Sequence, residues 1–346
     1  MKDVSPGNTL RVVVLSASDA ATDKLIAEAI ADALLLNNSE GGPGSSVIAA
    51  PPSLADDLLL EADAAVVMDA LSLRQALEAG VGLCAAVLPT FDTAWAGSLS
   101  DGDCVCVVHA DLVADAVSRG AISSRVHVVG PIAPKRFTPL PSSLRSPKKI
   151  ELGLDPTKAV VLIPSSGLDA MDLGVALTQL AQVSSTVQFL FDVDDDVQAA
   201  EALRREVPGR DITARMFADR GQAPEYWQLA DIVVTRPRST DVLKALAVGA
   251  GLVLPTPGRS DARAADILCR AGLAIAVGPK VSMANAVDQA IHPDSLKAIQ
   301  SAVTSLDVAS GARRLAEHVR RQWGSVEAES RASQRPRGLP KGLETL

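Results

Sequence analysis

Ala230-Asp231-Ile232-Val233-Val234-Thr235-Arg236-Pro237-Arg238-Ser239-Thr240, followed by Ala245 to Gly251 and then by Pro255-Thr256-Pro257-Gly258-Arg259, is the stretch whose reading decides the fold. An apolar run ends in a polar turn, a helical stretch follows at once, and a second apolar run leads into a Gly-Pro loop and another helix. A strand-loop-helix unit of this kind puts both loops at one end of a parallel sheet. That is the end at which open α/β sheets hold their ligands.

The same alternation extends in both directions. Strands are predicted over 10–17, 46–50, 64–68, 84–88, 105–108 and 125–129, with helices over 24–36, 53–61, 72–79 and 110–118 between them. A second series has strands over 159–163, 187–191, 212–217 and 273–277, and helices over 168–183, 197–206, 224–229, 282–291, 295–305 and 311–323. Repeated βα units call for α/β parallel sheets with right-handed crossovers. With 346 residues there is room for two domains of roughly 150 residues each. The Pro-rich, aperiodic stretch from Pro131 to Lys149 divides them. The expected organisation is a domain over 1–135, a linker over 136–150, a second domain over 151–324 and a disordered polar tail over 325–346.

Composition sets limits on function. One Tyr, three Trp and five Phe leave the cores to aliphatic side chains, which suits buried parallel strands. A formal charge of −8 argues against a nucleic-acid partner, because a polyanion needs a dense basic face. The basic clusters at Arg145–Lys149 and Arg331–Lys341 read as solvated linker and tail charge. Cys84, Cys104, Cys106 and Cys269 lack metal-ligand spacing and read as reduced core residues; the Cys104-Val105-Cys106 pair points both thiols to one side of a strand. There is no signal-peptide pattern and no apolar run near the roughly 20 residues of a spanning helix. A cytoplasmic protein is expected, at most in peripheral contact with a membrane, with no cofactor and no metal.

The order of the short words resembles the GT-B glycosyltransferases, in particular the group of monogalactosyldiacylglycerol synthases, diacylglycerol glucosyltransferases and the peptidoglycan N-acetylglucosaminyltransferase. The resemblance covers about residues 8 to 290. It is carried by Leu88-Pro89-Thr90-Phe91-Asp92 with Trp95, by the Val-x-Gly-x-Pro-like run from Gly120 to Arg136-Phe137, and by Leu152-Gly153-Leu154-Asp155-Pro156 with 160–167. Ala214 to Pro237 is similar to the stretch that leads from the uracil-contacting loop to the donor loop. The resemblance implies two Rossmann-like domains facing across a cleft. It also implies a UDP-sugar whose diphosphate lies against glycine turns and helix N-termini, a carboxylate that accepts from the ribose hydroxyls, and a general base in the first loop.

Position by position, the site words differ from the family's. The first loop reads Ser18-Asp19-Ala20-Ala21-Thr22-Asp23 where the family has Gly-x-Gly-His, which leaves Asp19 or Asp23 as base, or as a plain loop or N-cap carboxylate. His109 and His127 flank strands, His292 opens a loop and His318 lies on the last helix, so none is expected to serve. The turn Ser165-Ser166-Gly167 can cradle a phosphate or be ordinary turn chemistry. Phe217 falls at the uracil-contacting stretch. In the donor loop the family's glycine pair becomes Arg238-Ser239 beside Arg236 and Thr240, the ribose-binding Glu becomes Lys244, and the next loop carries Arg259 and Arg263. Those cations either bind a phosphorylated ligand bidentately or pair with Asp231, Asp241, Asp261 and Asp266. Three functions follow: inverting transfer of a hexosyl unit from a UDP-sugar, a pseudoenzyme that binds a protein partner or an anionic ligand, or a sugar-nucleotide 2-epimerase.

Overall fold

A computed structural model describes residues 10–16, 21–36, 45–91, 104–133, 135–164, 167, 173–193, 196–217, 223–255, 258–259, 261–278 and 280–334. The first half runs β1 (Leu10–Leu15), α1 (Ala21–Leu36), β2 (Ser45–Ala50), α2 (Ala55–Leu59), β3 (Ala64–Val67), α3 (Ala70–Glu78), β4 (Leu83–Leu88), β5 (Cys104–Val107), α4 (Asp111–Ser118) and β6 (Val126–Val128). The second runs α5 (Ser142–Glu151), β7 (Ala159–Pro164), α6 (Leu173–Leu180), β8 (Val187–Asp192), α7 (Val197–Glu206), β9 (Ala214–Phe217), α8 (Ala223–Trp227) and β10 (Ile232–Val234). It continues with α9 (Asp241–Val248), β11 (Gly251–Leu254), α10 (Ala262–Arg270), β12 (Ala274–Ala276), α11 (Met283–Ile291), α12 (Pro293–Ser305) and α13 (Gly311–Gln334).

Each half is an α/β layer built on a six-stranded sheet, ordered β2-β1-β3-β4-β5-β6 and β12-β11-β10-β7-β8-β9, with parallel pairing throughout. Strand order reverses between β1 and β3 in one sheet and between β7 and β10 in the other. Those two points are where an open α/β sheet leaves a crevice at its C-terminal edge. The strands are continuous apolar runs because helices cover both faces. In β4 all six residues are buried. On β5, Val105 and Val107 pack with Leu112 and Ala116 of α4, while Cys104 and Cys106 face the opposite way, toward the core shared by α1 and α13. The Cys106 thiol has its pKa raised by the hydrogen bond it makes to Cys104 and by burial, which suits a packing residue.

Two boundaries differ from the sequence reading. The stretch expected to be a linker over 136–150 contains α5, despite Pro147 in its interior. A proline there removes one helical hydrogen bond, and the helix is held instead by docking on the second half. Arg145 donates to the carbonyls of Gln228 and Leu229, both at 2.9 Å, and Lys149 Nζ donates to the Lys158 carbonyl at 2.7 Å. Burial pushes the Lys149 ammonium pKa down. The tail expected from residue 325 is helical through Gln334, with 335–346 outside the described residues. Gly324 does not end the helix, because Leu315, Ala316, Val319 and Trp323 have already locked the preceding turns into the first half's core.

α13 therefore starts beside the second half and ends against α1 and β4 of the first. Gly311 makes this return crossing possible: a Cβ there would overlap the Pro131 carbonyl. Farther along, the rings of His127 on β6 and His318 on α13 face each other at 3.8 Å, and their buried Nε2 atoms have no hydrogen-bond partner.

Replacing Trp323 by Ala should cost about 3 kcal/mol, the usual loss for a large core aromatic, read as a lower urea midpoint. A change under about 1 kcal/mol would mean that α13 is not part of that core. The His127 pKa is lowered from 6.5 by burial, then by His318 and Arg321. The unfolded chain therefore binds that proton more readily. Stability is fully present above pH 6.5 and is lost as pH falls through the lowered folded value. Melting temperature should decline across that window in the native chain, and much less in His127→Gln.

Candidate functional site

The second half's crevice is positioned by Asp231, the residue that precedes β10. Its Oδ2 accepts the Val160 amide of β7 at 2.8 Å, and its Oδ1 accepts from Arg145 Nη2 at 2.7 Å. Of the four acidic partners proposed for the basic cluster, Asp231 thus serves a structural cation outside it. One carboxylate fixes the registration of β7 and β10 that makes the switch point.

Above that anchor, Gly167 follows β7 and lies under the end of β10. A Cβ at Gly167 would overlap the Val234 carbonyl oxygen, so Gly167 lies directly against the end of the neighbouring strand β10. Only glycine allows that approach. Asp19, Ser165 and Ser166 lie outside the described residues, as does the side chain of Asp23, which falls on the first turn of α1.

After β10 the chain turns through Arg236, Arg238, Ser239 and Thr240 into α9. Ser239 Oγ accepts the Asp241 amide at 3.1 Å and pairs with Asp241 Oδ2 at 3.2 Å. Thr240 occupies the N-cap position without a side-chain cap bond. The amides at the start of α9 are used locally: Asp241 donates to Ser239 Oγ, Val242 to the Ser239 carbonyl at 3.1 Å and Leu243 to the Thr240 carbonyl at 3.0 Å. Arg236 is exposed and lies 3.7 Å from Asp261, while Arg238 is half-buried.

Lys244 does not reach into open space. Its side chain is 15% exposed, its Nζ is 2.9 Å from Asp241 Oδ1, and it lies over the rings of Trp227 at 5.1 Å and Phe137 at 5.7 Å. Those rings meet edge to face, and Trp227 Nε1 donates to Asp192 at 3.0 Å, so the pair is rigid. Phe217 ends β9, two strands from the switch point, and is buried under a stacked Tyr226 at 4.3 Å. Its ring is already used for packing.

Arg259 is exposed at the mouth of the β11 loop. Arg263 goes elsewhere: from α10 it crosses to the first half and grips Asp115 of α4, Nε to Oδ2 at 2.7 Å and Nη2 to Oδ1 at 3.0 Å. One turn on, Asp266 bridges Arg263 at 3.2 Å and Arg270 at 3.1 Å, and Arg270 reaches Asp111 of α4 at 3.3 Å. Asp115 raises the Arg263 pKa through that hydrogen bond and its charge. Two helices from opposite halves are thus clasped by alternating charge. Gly167, Arg236, Arg238, Ser239, Thr240 and Arg259 follow the C-terminal ends of β7, β10 and β11, whereas Phe217, Lys244 and Arg263 are engaged in packing or ion pairs.

One residue set aside in the sequence reading lies at the edge where open α/β sheets hold their ligands. His109 follows β5 at the C-terminal end of the first sheet, with Phe91 6.1 Å away and Nδ1 accepting the Asp111 amide at 3.2 Å. Its position two residues past the last strand residue was the available signal. Among the described residues, no group of three or more His, Cys, Asp or Glu is placed to hold a metal, and no helix is long and apolar enough to cross a membrane.

The clasp has a measurable signature. Asp115→Arg and Arg263→Asp should each lower stability modestly, and the double swap should restore it with a coupling of about 1 kcal/mol that fades in 1 M salt. A coupling of zero at low salt would mean that the contact contributes nothing.

No family model and no curated protein matches the sequence. Solved structures do. The chain is similar to S. aureus MnaA in complex with UDP, with a TM-score of 0.67 at 11% identity over 91% of this chain and 97% of that one. It is also similar to UDP-GlcNAc 2-epimerase from Neisseria meningitidis bound to UDP-GlcNAc, with a TM-score of 0.63 at 10% identity over 90% and 100%. Anabaena HepE in complex with UDP-glucose follows, with a TM-score of 0.56 at 14% identity over 94% and 100%. Likeness at such low identity establishes architecture: the chain has the two-domain GT-B fold.

Proposed function

We propose that this protein is a GT-B module that binds a phosphorylated ligand of the UDP-sugar class in the crevice above β7 and β10 and does not transfer the sugar. Lys244 carries this reading. A transferase of the group that the sequence words resemble needs a carboxylate there to accept from the ribose hydroxyls. An ammonium only donates, and this one is held by Asp241 and two aromatic faces. Phosphate, in contrast, is well provided for. The Ser239 and Thr240 hydroxyls and the positive end of α9 lie beside Arg236, Arg238 and Arg259, whose guanidiniums suit paired oxygens. The UDP and UDP-sugars held by the similar structures support the choice of ligand class.

His109 favours a second reading, inverting transfer of a hexosyl unit from a UDP-sugar, with the finer kinship resting on the words at Gly120–Phe137 and Asp231–Thr240. Its geometry suits binding better than proton removal. Because Nδ1 accepts the Asp111 amide, the neutral ring carries its proton on Nε2 and presents a donor. Acting as a base would require giving up that bond.

Calorimetry with UDP, UDP-glucose and UDP-N-acetylglucosamine separates the readings. Saturable binding of UDP is expected, about tenfold weaker in Arg236→Ala and in Arg259→Ala, without multiple-turnover UDP release. Sustained UDP release lost in His109→Ala would replace the proposal by the transferase. Absence of binding to every nucleotide, with a protein that co-purifies stoichiometrically, would replace it by a protein-partner module.

A further inference from the structure

Away from the crevice, the chain passes between the halves twice. On the way out Ala133 and residues 135–139, and on the return the 3-10 turn Val308–Ser310, lie beside α1 of the first half and α9 of the second. Among these four pieces lies a cavity of about 350 Å³. Its walls are Ala29 and Ala33 of α1, Ala247 of α9, Ala312 of α13, Val308 and Phe137. Lys135 and Arg313 stand at its rim.

The opening has a physical origin. Helices normally fill the space between them, and protein interiors leave few voids larger than a water. Here the facing positions are alanines, too short to meet in the middle. Phe137 cannot swing in, because its ring is held edge-on to Trp227 at 5.9 Å and flanked by Arg136 and Lys244. An apolar wall gives water too few partners to hold it, so the space suits hydrocarbon. The rim is cationic but loosely committed. Lys135 Nζ pairs with Asp32 at 2.9 Å and Arg313 Nη1 with Glu317 at 3.7 Å, and all four side chains are about half exposed. Ion pairs of that kind hold little energy, so either cation can turn toward an anion at the mouth without stranding a buried charge.

We infer that this seam binds a straight-chain amphiphile with an anionic head, its hydrocarbon among the alanines and its carboxylate or phosphate between Lys135 and Arg313. A methylene is close in size to a water, whose share of liquid volume is about 30 Å³, so the cavity takes a chain of roughly ten carbons. Arg236, Ser239, Thr240 and Arg259 do not line it, so the inference stands or falls independently of nucleotide binding. An occupant would touch both halves and both crossings at once.

The test titrates the full chain by calorimetry with hexanoate, octanoate, decanoate, dodecanoate, decyl phosphate and decanol, each below its micelle-forming or solubility limit. Affinity should rise about fourfold per added methylene up to decanoate and level off by dodecanoate, with decyl phosphate comparable to decanoate and decanol at least tenfold weaker. Lys135→Glu and Arg313→Glu should each weaken decanoate about tenfold. Ala33→Leu and Ala312→Leu should abolish its binding while UDP binding keeps its native value. If the leucine variants fail to fold, the two exposed rim variants decide the matter alone. Lack of saturable decanoate binding by the native chain would overturn the inference. So would decanol binding as tightly as decanoate, or decanoate binding that none of the four substitutions changes.

Discussion

The second half is organised around one carboxylate. Asp231 accepts the Val160 amide with one oxygen and the Arg145 guanidinium with the other, and Arg145 in turn collects the carbonyls of Gln228 and Leu229. Three pieces of chain are joined at that point: the entry to β10, the start of β7 and the helix α5. Because β7 and β10 are the neighbours across which strand order reverses, their registration decides where both upper loops end. Gly167 can pass beneath the Val234 carbonyl only while that registration holds. The loops after β7 and β10 are therefore placed from the opposite end of those strands, by a charge pair at their base.

What the fold does with its basic residues follows from distance and burial more than from sequence position. Lys244 and Arg236 are eight residues apart, yet the first is enclosed by Asp241, Phe137 and Trp227 while the second faces solvent. An ammonium over two aromatic faces with a carboxylate beside it is stabilised by the ring quadrupoles and by direct charge pairing. The same side chain is lost to the ligand. Arg263 shows the corresponding outcome at the surface, where a guanidinium fork matches a carboxylate's two oxygens across the halves. Of the basic residues in this segment, Lys244 and Arg263 serve internal cohesion, while Arg236 and Arg259 are exposed in the loops after β10 and β11.

Much of the architecture was legible because it is periodic. Buried parallel strands read as short apolar runs, and the alternation of runs and helical stretches carries the two-sheet plan. The words around Asp231 marked the strand, polar turn and helix that the second sheet has there, since that succession has few other meanings. Legibility ended where the deciding partner is distant. The Asp115–Arg263 contact spans 148 residues and no local pattern announces it. Pro147 argued for a linker, and only the carbonyls of Gln228 and Leu229, more than eighty residues later, show why a helix persists there. His109 was set aside as a strand flank because sequence gives the end of a strand without saying which face of the molecule that end meets. Gly324 looked like a helix stop because its neighbours' burial against the first sheet is a tertiary fact.

The two connections between the halves differ in kind, and that difference constrains how they can move. α4 covers one face of the first sheet and carries the acidic side of the clasp, whereas α1 and α13 cover the other face and form the seam. The seam extends the first half's core: Leu243 of α9 packs with α1 and α13, and both chain crossings lie within it. Parting it would expose apolar surface and break backbone packing at Gly311 and Pro131. Parting the clasp exposes only side chains that water and salt already reach; Arg263 and Arg270 are each about half exposed. Exposed ion pairs are weak and are screened by salt. Any relative rotation of the halves must therefore hinge at the seam and open at the clasp. The clasp helix of the second half, α10, begins just after Arg259, so opening there would widen the gap between that end of the second half and α4 while leaving the β7–β10 pairing and its Asp231 anchor untouched.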